Sequence, residues 1–159
     1  EMMHIPTPEE SRVSKLLEEY GIFHPWQLQI EYVCNVFDID LEMGLSSTGF
    51  CYMDYKMITL NKRKNEKQRQ FEFFHELAHL LFHSGDQDKL PENIVHVQEW
   101  QASRLALYFS IPYHMLHYIK MSNPDVIQET SNLFNLPEDV VCKRLTQIKN
   151  NLVSKPIVV

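Results

Sequence analysis

The stretch Phe73-Phe74-His75-Glu76-Leu77-Ala78-His79-Leu80-Leu81 restricts this chain more than any other. Its apolar residues recur at helical spacing and would bury a helix, yet three ionisable side chains sit in its middle. A buried polar group needs a partner that offsets its lost hydration. Any fold for this chain must therefore bring polar atoms, or a cation, against that helix. Four residues make about one helical turn, so His75 and His79 leave the same face and can meet one ion. Glu76 lies about 100° round the helix from His75, beside such an ion.

H-E-x-x-H on a helix is the pattern of two zinc-binding imidazoles with a glutamate general base. A catalytic zinc takes three protein ligands and keeps its fourth position for water. The common continuation H-x-x-G-x-x-H fails here, because Phe82 and Gly85 stand at those positions. The alternative is a glutamate on a following helix, and Glu99 lies 20 residues after His79. Ala102, Ser103 and Ala106 fall on or near its face, and small side chains there let two helices approach closely. Glu92, Asp86 and Asp88 sit in a loop or at a helix start. The bland reading of Glu99 is a solvated helix charge.

The series His75-Glu76-Leu77-Ala78-His79-Leu80-Leu81-Phe82-His83, then Glu99-x-x-Ala102-x-x-Leu105-Ala106, then Ile111-Pro112, resembles the ImmA/IrrE family of metallopeptidases. The resemblance covers roughly residues 45–112. It implies zinc on His75, His79 and Glu99, with Glu76 as the general base. It also implies a phage or mobile-element setting, in which the substrate is a helix-turn-helix repressor. The chain departs from the family at Ser103, usually Asn or Asp, and at Leu105, usually Phe. A residue at position 103 can orient a ligand histidine from behind, and serine is a weaker partner than a carboxylate or amide. His83 completes an i, i+4, i+8 series but is rotated about 80° from His75. Its expected role is structural or supporting.

Around this helix the periodicity predicts an α+β domain with mostly helical mass, a small antiparallel sheet and a helical tail, and the resemblance implies that this domain is zincin-like. Thr7-Pro8-Glu9-Glu10 reads as a capped helix start, and Gly21 closes that helix. A second helix from Pro25 carries Trp26, Ile30, Val33 and Phe37 on one face. Ile39, Leu41 and Met43 alternate with Asp40 and Glu42 as in a half-buried strand. Two further strands, 49–55 and 57–60, meet at a turn near Asp54. Helices follow over 65–83, closed by Ser84-Gly85, and over 92–110, stopped by Pro112, with a loop over 86–91 between them. Shorter ones cover 113–120, 124–134 and 137–152, and 153–159 is a loose tail. Residues 1–120 form the expected metallopeptidase domain, and 121–159 a small helical extension packed on it.

With 15 basic and 21 acidic residues the formal charge is −6, which is no footprint for a dedicated nucleic-acid binder. The tail after residue 120 is shaped like part of a helix-turn-helix, but its charges balance, so it reads as packing or protein contact. Lys62, Arg63, Lys64, Lys67 and Arg69 read as a solvated basic face. His96, His114 and His117 read as ordinary polar or capping residues. No apolar run approaches the ~18–20 residues that cross a bilayer, so no membrane role is expected. The start of the chain has no signal-peptide pattern, which points to a cytoplasmic protein, and the resemblance implies a bacterial or phage-encoded one in a bacterial host. Three scattered cysteines, Cys34, Cys51 and Cys142, fit buried thiols in a reducing compartment.

The resulting expectation is a zinc-dependent intracellular peptidase whose partner is a protein, a helix-turn-helix repressor. The residue that stabilises the oxyanion stays open, with Arg104 and several tyrosines as candidates. Two rivals remain: a regulatory binding protein that engages a repressor or senses zinc, and a small-substrate zinc hydrolase of deformylase type.

Overall fold

A computed structural model describes residues 2–83 and 89–154. The expected helix stop at Ser84-Gly85, the loop acids Asp86 and Asp88, Glu1, and the tail from 155 onward lie outside the described residues. The chain runs β1 (Met2–His4), α1 (Pro8–Glu19), α2 (Ile30–Phe37), β2 (Ile39–Gly44), β3 (Thr48–Tyr52) and β4 (Tyr55–Asn61). It continues through α3 (Glu66–Phe82), α4 (Glu92–Ser110), α5 (Val126–Phe134), α6 (Glu138–Asn150) and β5 (Leu152–Ser154). Short 3-10 turns at Pro25–Leu28 and Tyr113–Tyr118 link the longer helices.

Thr7 caps α1 as its sequence predicts: its hydroxyl accepts from the Glu10 N–H, and the Glu10 carboxylate accepts from the Thr7 N–H. The single helix expected from Pro25 is instead broken. Gln29 is extended (φ −63°, ψ 141°), and the Gln27 side-chain oxygen accepts from the Phe23 and His24 N–H groups. These bonds hold a separate 3-10 turn, and the break carries Trp26 off the buried face of α2. Trp26 is 58% exposed and stacks on His24 at 4.5 Å.

The small sheet is mixed rather than antiparallel. Its order is β2-β4-β3: β3 and β4 form the expected hairpin, turning at Met53 (φ 54°), but β2 pairs with β4 in parallel. Alternation along Ile39, Leu41 and Met43 defines a two-faced strand and carries no information about the direction of its neighbour. A second, two-stranded sheet pairs β1 with β5, so residues 153 and 154 are in a strand rather than a loose tail.

Hydrophobic burial joins all the long elements in one cluster. It takes Val13 and Leu17 from α1, Val33 and Phe37 from α2, Ile58 and Leu60 from β4, and Phe73, Phe74 and Leu77 from α3. Ala102, Ala106 and Phe109 come from α4, and Phe134, Leu136, Val141 and Ile148 from the C-terminal region. The α3–α4 contact is close because Ala78, Ala102 and Ala106 are all buried in it, and Phe74 stacks parallel on Phe109. That packing positions the polar residues of the two helices opposite one another.

Candidate metal centre

Asn65 starts α3 through a reciprocal cap with Gln68, which fixes the helix's first turn. Further along, β3 lies close against it: a Cβ on Gly49 would stand 3.3 Å from the Leu80 side chain and 3.5 Å from the Glu76 carbonyl oxygen. α3 is thus held between the sheet and α4, with His75 and His79 turned toward α4. There Glu99 meets both rings. His75 Nε2 lies 2.9 Å from Glu99 Oε2, and His79 Nε2 lies 3.0 Å from Glu99 Oε1.

The ligand atoms of His75, His79 and Glu99 all lie within 4.8 Å of one another. Tetrahedral bonds of 2.0–2.1 Å separate neighbouring donors by roughly 3.3–3.4 Å. The observed spacing needs only a slight opening to admit an ion, and two imidazoles with one carboxylate form a donor set that suits a divalent metal. The group is half-buried, so solvent can reach it, and it can leave a coordination position open.

Each histidine is backed on its other nitrogen. Ser103 Oγ is 3.4 Å from His75 Nδ1. His83 Nδ1 is 3.2 Å from His79 Nδ1, and His83 Nε2 is 3.1 Å from the Gln101 side-chain oxygen. Burial lowers the His79 pKa and so favours its neutral, metal-binding form, with the Glu99 carboxylate opposing. Glu76 sits in the same helix turn. Burial, then the negative charges of Glu99 and Glu72, push its carboxyl up to about 7 against a hydrogen bond from the Gly49 N–H. A carboxyl poised there can both accept and return a proton near neutral pH.

The other candidates fall elsewhere. Arg104 faces Glu9, the Tyr108 hydroxyl and the Trp100 ring rather than the histidine–glutamate group. It lines a cavity of about 210 Å³, into which His83 and Gln101 also project. Glu92 pairs with His96 on the exposed side of α4. His114 is tied to Ser14 and to the Ile22 carbonyl, a structural role, and Lys67 anchors α3 to Ser131 and Asn132. Cys34 is buried, but Cys51 and Cys142 are exposed, against the expectation of three buried thiols, because they occupy an edge strand and the outer face of α6. Sequence reasoning missed Gln101, the Gly49 N–H and Glu72. Only Glu72 had a visible signal, its place one helical turn before Glu76.

The family described as Peptidase_M78, IrrE N-terminal-like domain, matches residues 34–146. The uncharacterized protein YqaB of Bacillus subtilis (strain 168) is 26% identical over 140 residues, covering 86% of this chain and 81% of YqaB. The phage-like element PBSX protein XkdA of the same strain is 24% identical over 141 residues, covering 86% of this chain and 70% of XkdA. Among solved structures, a Mycobacterium tuberculosis transcriptional regulator superposes with a TM-score of 0.64 at 19% identity. The match takes in 89% of this chain but 47% of that longer one, and it speaks for the fold alone.

Proposed function

Because the chain belongs to the IrrE N-terminal-like domain family of peptidases, we propose that it is a zinc-dependent intracellular peptidase that cleaves a helix-turn-helix repressor. The observation that carries the reading is the convergence of His75, His79 and Glu99 on one point, with Glu76 on the adjoining helix face. These three residues would hold the ion, and Glu76 is the general base. A zinc ion there supplies Lewis-acid polarisation of a peptide carbonyl and acidifies water. The Glu76 carboxylate takes the proton from a water whose oxygen bonds to the scissile carbon. As the C–N bond breaks, the same carboxyl returns that proton to the leaving nitrogen. Edge strand β3, unpaired on its outer side among the described residues and pressed on α3, is a surface where an extended peptide can add as a further strand.

Two observations favour a repressor as the substrate. A relative named for a phage-like element favours a mobile-element setting, and the net charge of −6 suits approach to a basic DNA-binding partner. No described helix is long and apolar enough to cross a membrane.

The test pairs metal analysis with the Glu76→Gln variant. About one zinc per chain is expected in both proteins, since Glu76 is not a ligand, while cleavage should fall by about 10²–10⁴-fold in the variant. The substrate is the repressor encoded nearest to the gene, incubated with and without a chelator. One discrete, chelator-sensitive cut, absent with Glu76→Gln, supports the proposal. Inactivation that survives Glu76→Gln would replace it with simple binding, and equal cutting of unrelated unfolded proteins with general proteolysis.

A further inference from the structure

We infer that His83, held from behind by Gln101, is the positioning residue that fixes which nitrogen of His79 faces the metal. The inference rests on the metal site proposed above and names the residue on which its order depends.

The direction of the chain follows from what each atom can do. A side-chain carbonyl oxygen only accepts, so the 3.1 Å contact with Gln101 Oε1 places a hydrogen on His83 Nε2. A neutral imidazole protonated at Nε2 presents a lone pair at Nδ1. That lone pair lies 3.2 Å from His79 Nδ1, which must then donate. A neutral His79 protonated at Nδ1 directs its own lone pair through Nε2, at a carboxylate oxygen 3.0 Å away. Two acceptors facing each other at that distance are stabilised by a cation between them. The series Gln101–His83–His79 thus sets the metal-binding tautomer in advance.

Local structure makes the contact available. His83 is the C-cap of α3, with extended dihedrals (φ −118°, ψ 130°) while its N–H still donates to the His79 carbonyl at 3.0 Å. Its ring lies 5.2 Å from that of His79, much as the His75 and His79 rings, also four residues apart, stand 4.9 Å from each other. His75 has a weaker backing. Its Ser103 contact is longer, 3.4 Å, and a hydroxyl both donates and accepts, so it imposes no direction. The two histidines of the site are therefore unequally held.

Zinc-loaded full-length chain labelled with ¹⁵N-histidine tests this by long-range proton–nitrogen NMR, which reads each tautomer without reference to activity. The expected result is Nε2–H for His83 and Nδ1–H for His79, with Gln101→Leu leaving His83 in a mixture of tautomers. Zinc affinity, measured by competition with a chromophoric chelator, should fall about 10–100-fold in His83→Phe, which keeps a ring and removes the acceptor. His83→Gln should recover part of the loss, and Ser103→Ala should cost less than His83→Phe. An Nδ1–H tautomer at His83 in the wild-type protein overturns the inference, as does equal zinc affinity in wild type and His83→Phe. A wild-type chain that holds no zinc overturns the metal site itself, and this inference with it.

Discussion

Two assemblies of histidine and glutamate stand in different parts of this protein. In the first, His4 Nε2 lies 2.9 and 3.0 Å from the two carboxylate oxygens of Glu10, which also receives the Arg144 guanidinium. Arg144 donates through Nε to the Ile111 carbonyl and lies over the Tyr108 ring, and neither it nor Glu10 is exposed at all. In the second, Glu99 bridges His75 and His79 with 44% of its side chain in solvent. The residue types are the same and the outcomes differ. The first is closed by a cation from the chain itself and fastens α6 to α1; the second converges its donors on a point that solvent reaches. Residue type alone does not separate a metal centre from a structural knot. The source of the balancing cation and the access to it do.

The largest expected effect breaks the first assembly. Arg144→Leu leaves Glu10 and His4 buried without their cation, and urea unfolding should show a loss of about 3–5 kcal/mol. Zinc bound per folded chain should not change. A variant as stable as wild type would show that the network is not what fastens α6.

The second assembly is tested by adding metal. Zinc at a free concentration 100 times its Kd should raise unfolding free energy by about 2.7 kcal/mol. Glu99→Ala should abolish that increment, while Glu92→Ala should keep it. If Glu99→Ala is stabilised by zinc as wild type is, the third ligand lies elsewhere.

Smaller effects sharpen the boundary between the two. Thr7→Ala removes the cap beside Glu10 and should cost about 1 kcal/mol in the same unfolding assay, with zinc affinity unchanged. Thiol titration of the native protein should find Cys51 and Cys142 reactive and Cys34 slow, because burial pushes the Cys34 thiol up to about 12. Adding zinc should alter neither reactive thiol, since neither contributes a ligand atom to the site.

Much of this was legible in the sequence, for physical reasons that also mark where legibility stops. Helix α1 announces itself through its Thr7 cap and α3 and α4 through a 3.6-residue apolar period, and the spacing of His75 and His79 is itself a statement about one helix face. Glu99 could be reached because small residues flank it on a helix that must approach α3. The direction of β2 could not be, since alternation is blind to strand polarity. Arg144 looked like one of a few balancing tail charges, because long cationic side chains are usually solvated. Gln101 was invisible for a different reason: it stands on α4 and its partner His83 at the end of α3, and no spacing within one helix connects residues of two.

The position of β4 between β2 and β3 has a consequence for the order of assembly. β4 is the last of the three to leave the ribosome, and both other strands bond to it rather than to each other. The β3–β4 hairpin is local and can close within ~1–10 μs. Residues Ile39–Gly44 must wait for it, holding a row of unmatched backbone groups until Tyr55–Asn61 has emerged. A chain truncated or stalled before Tyr55 would present that strand as an open edge, the kind that pairs with other chains.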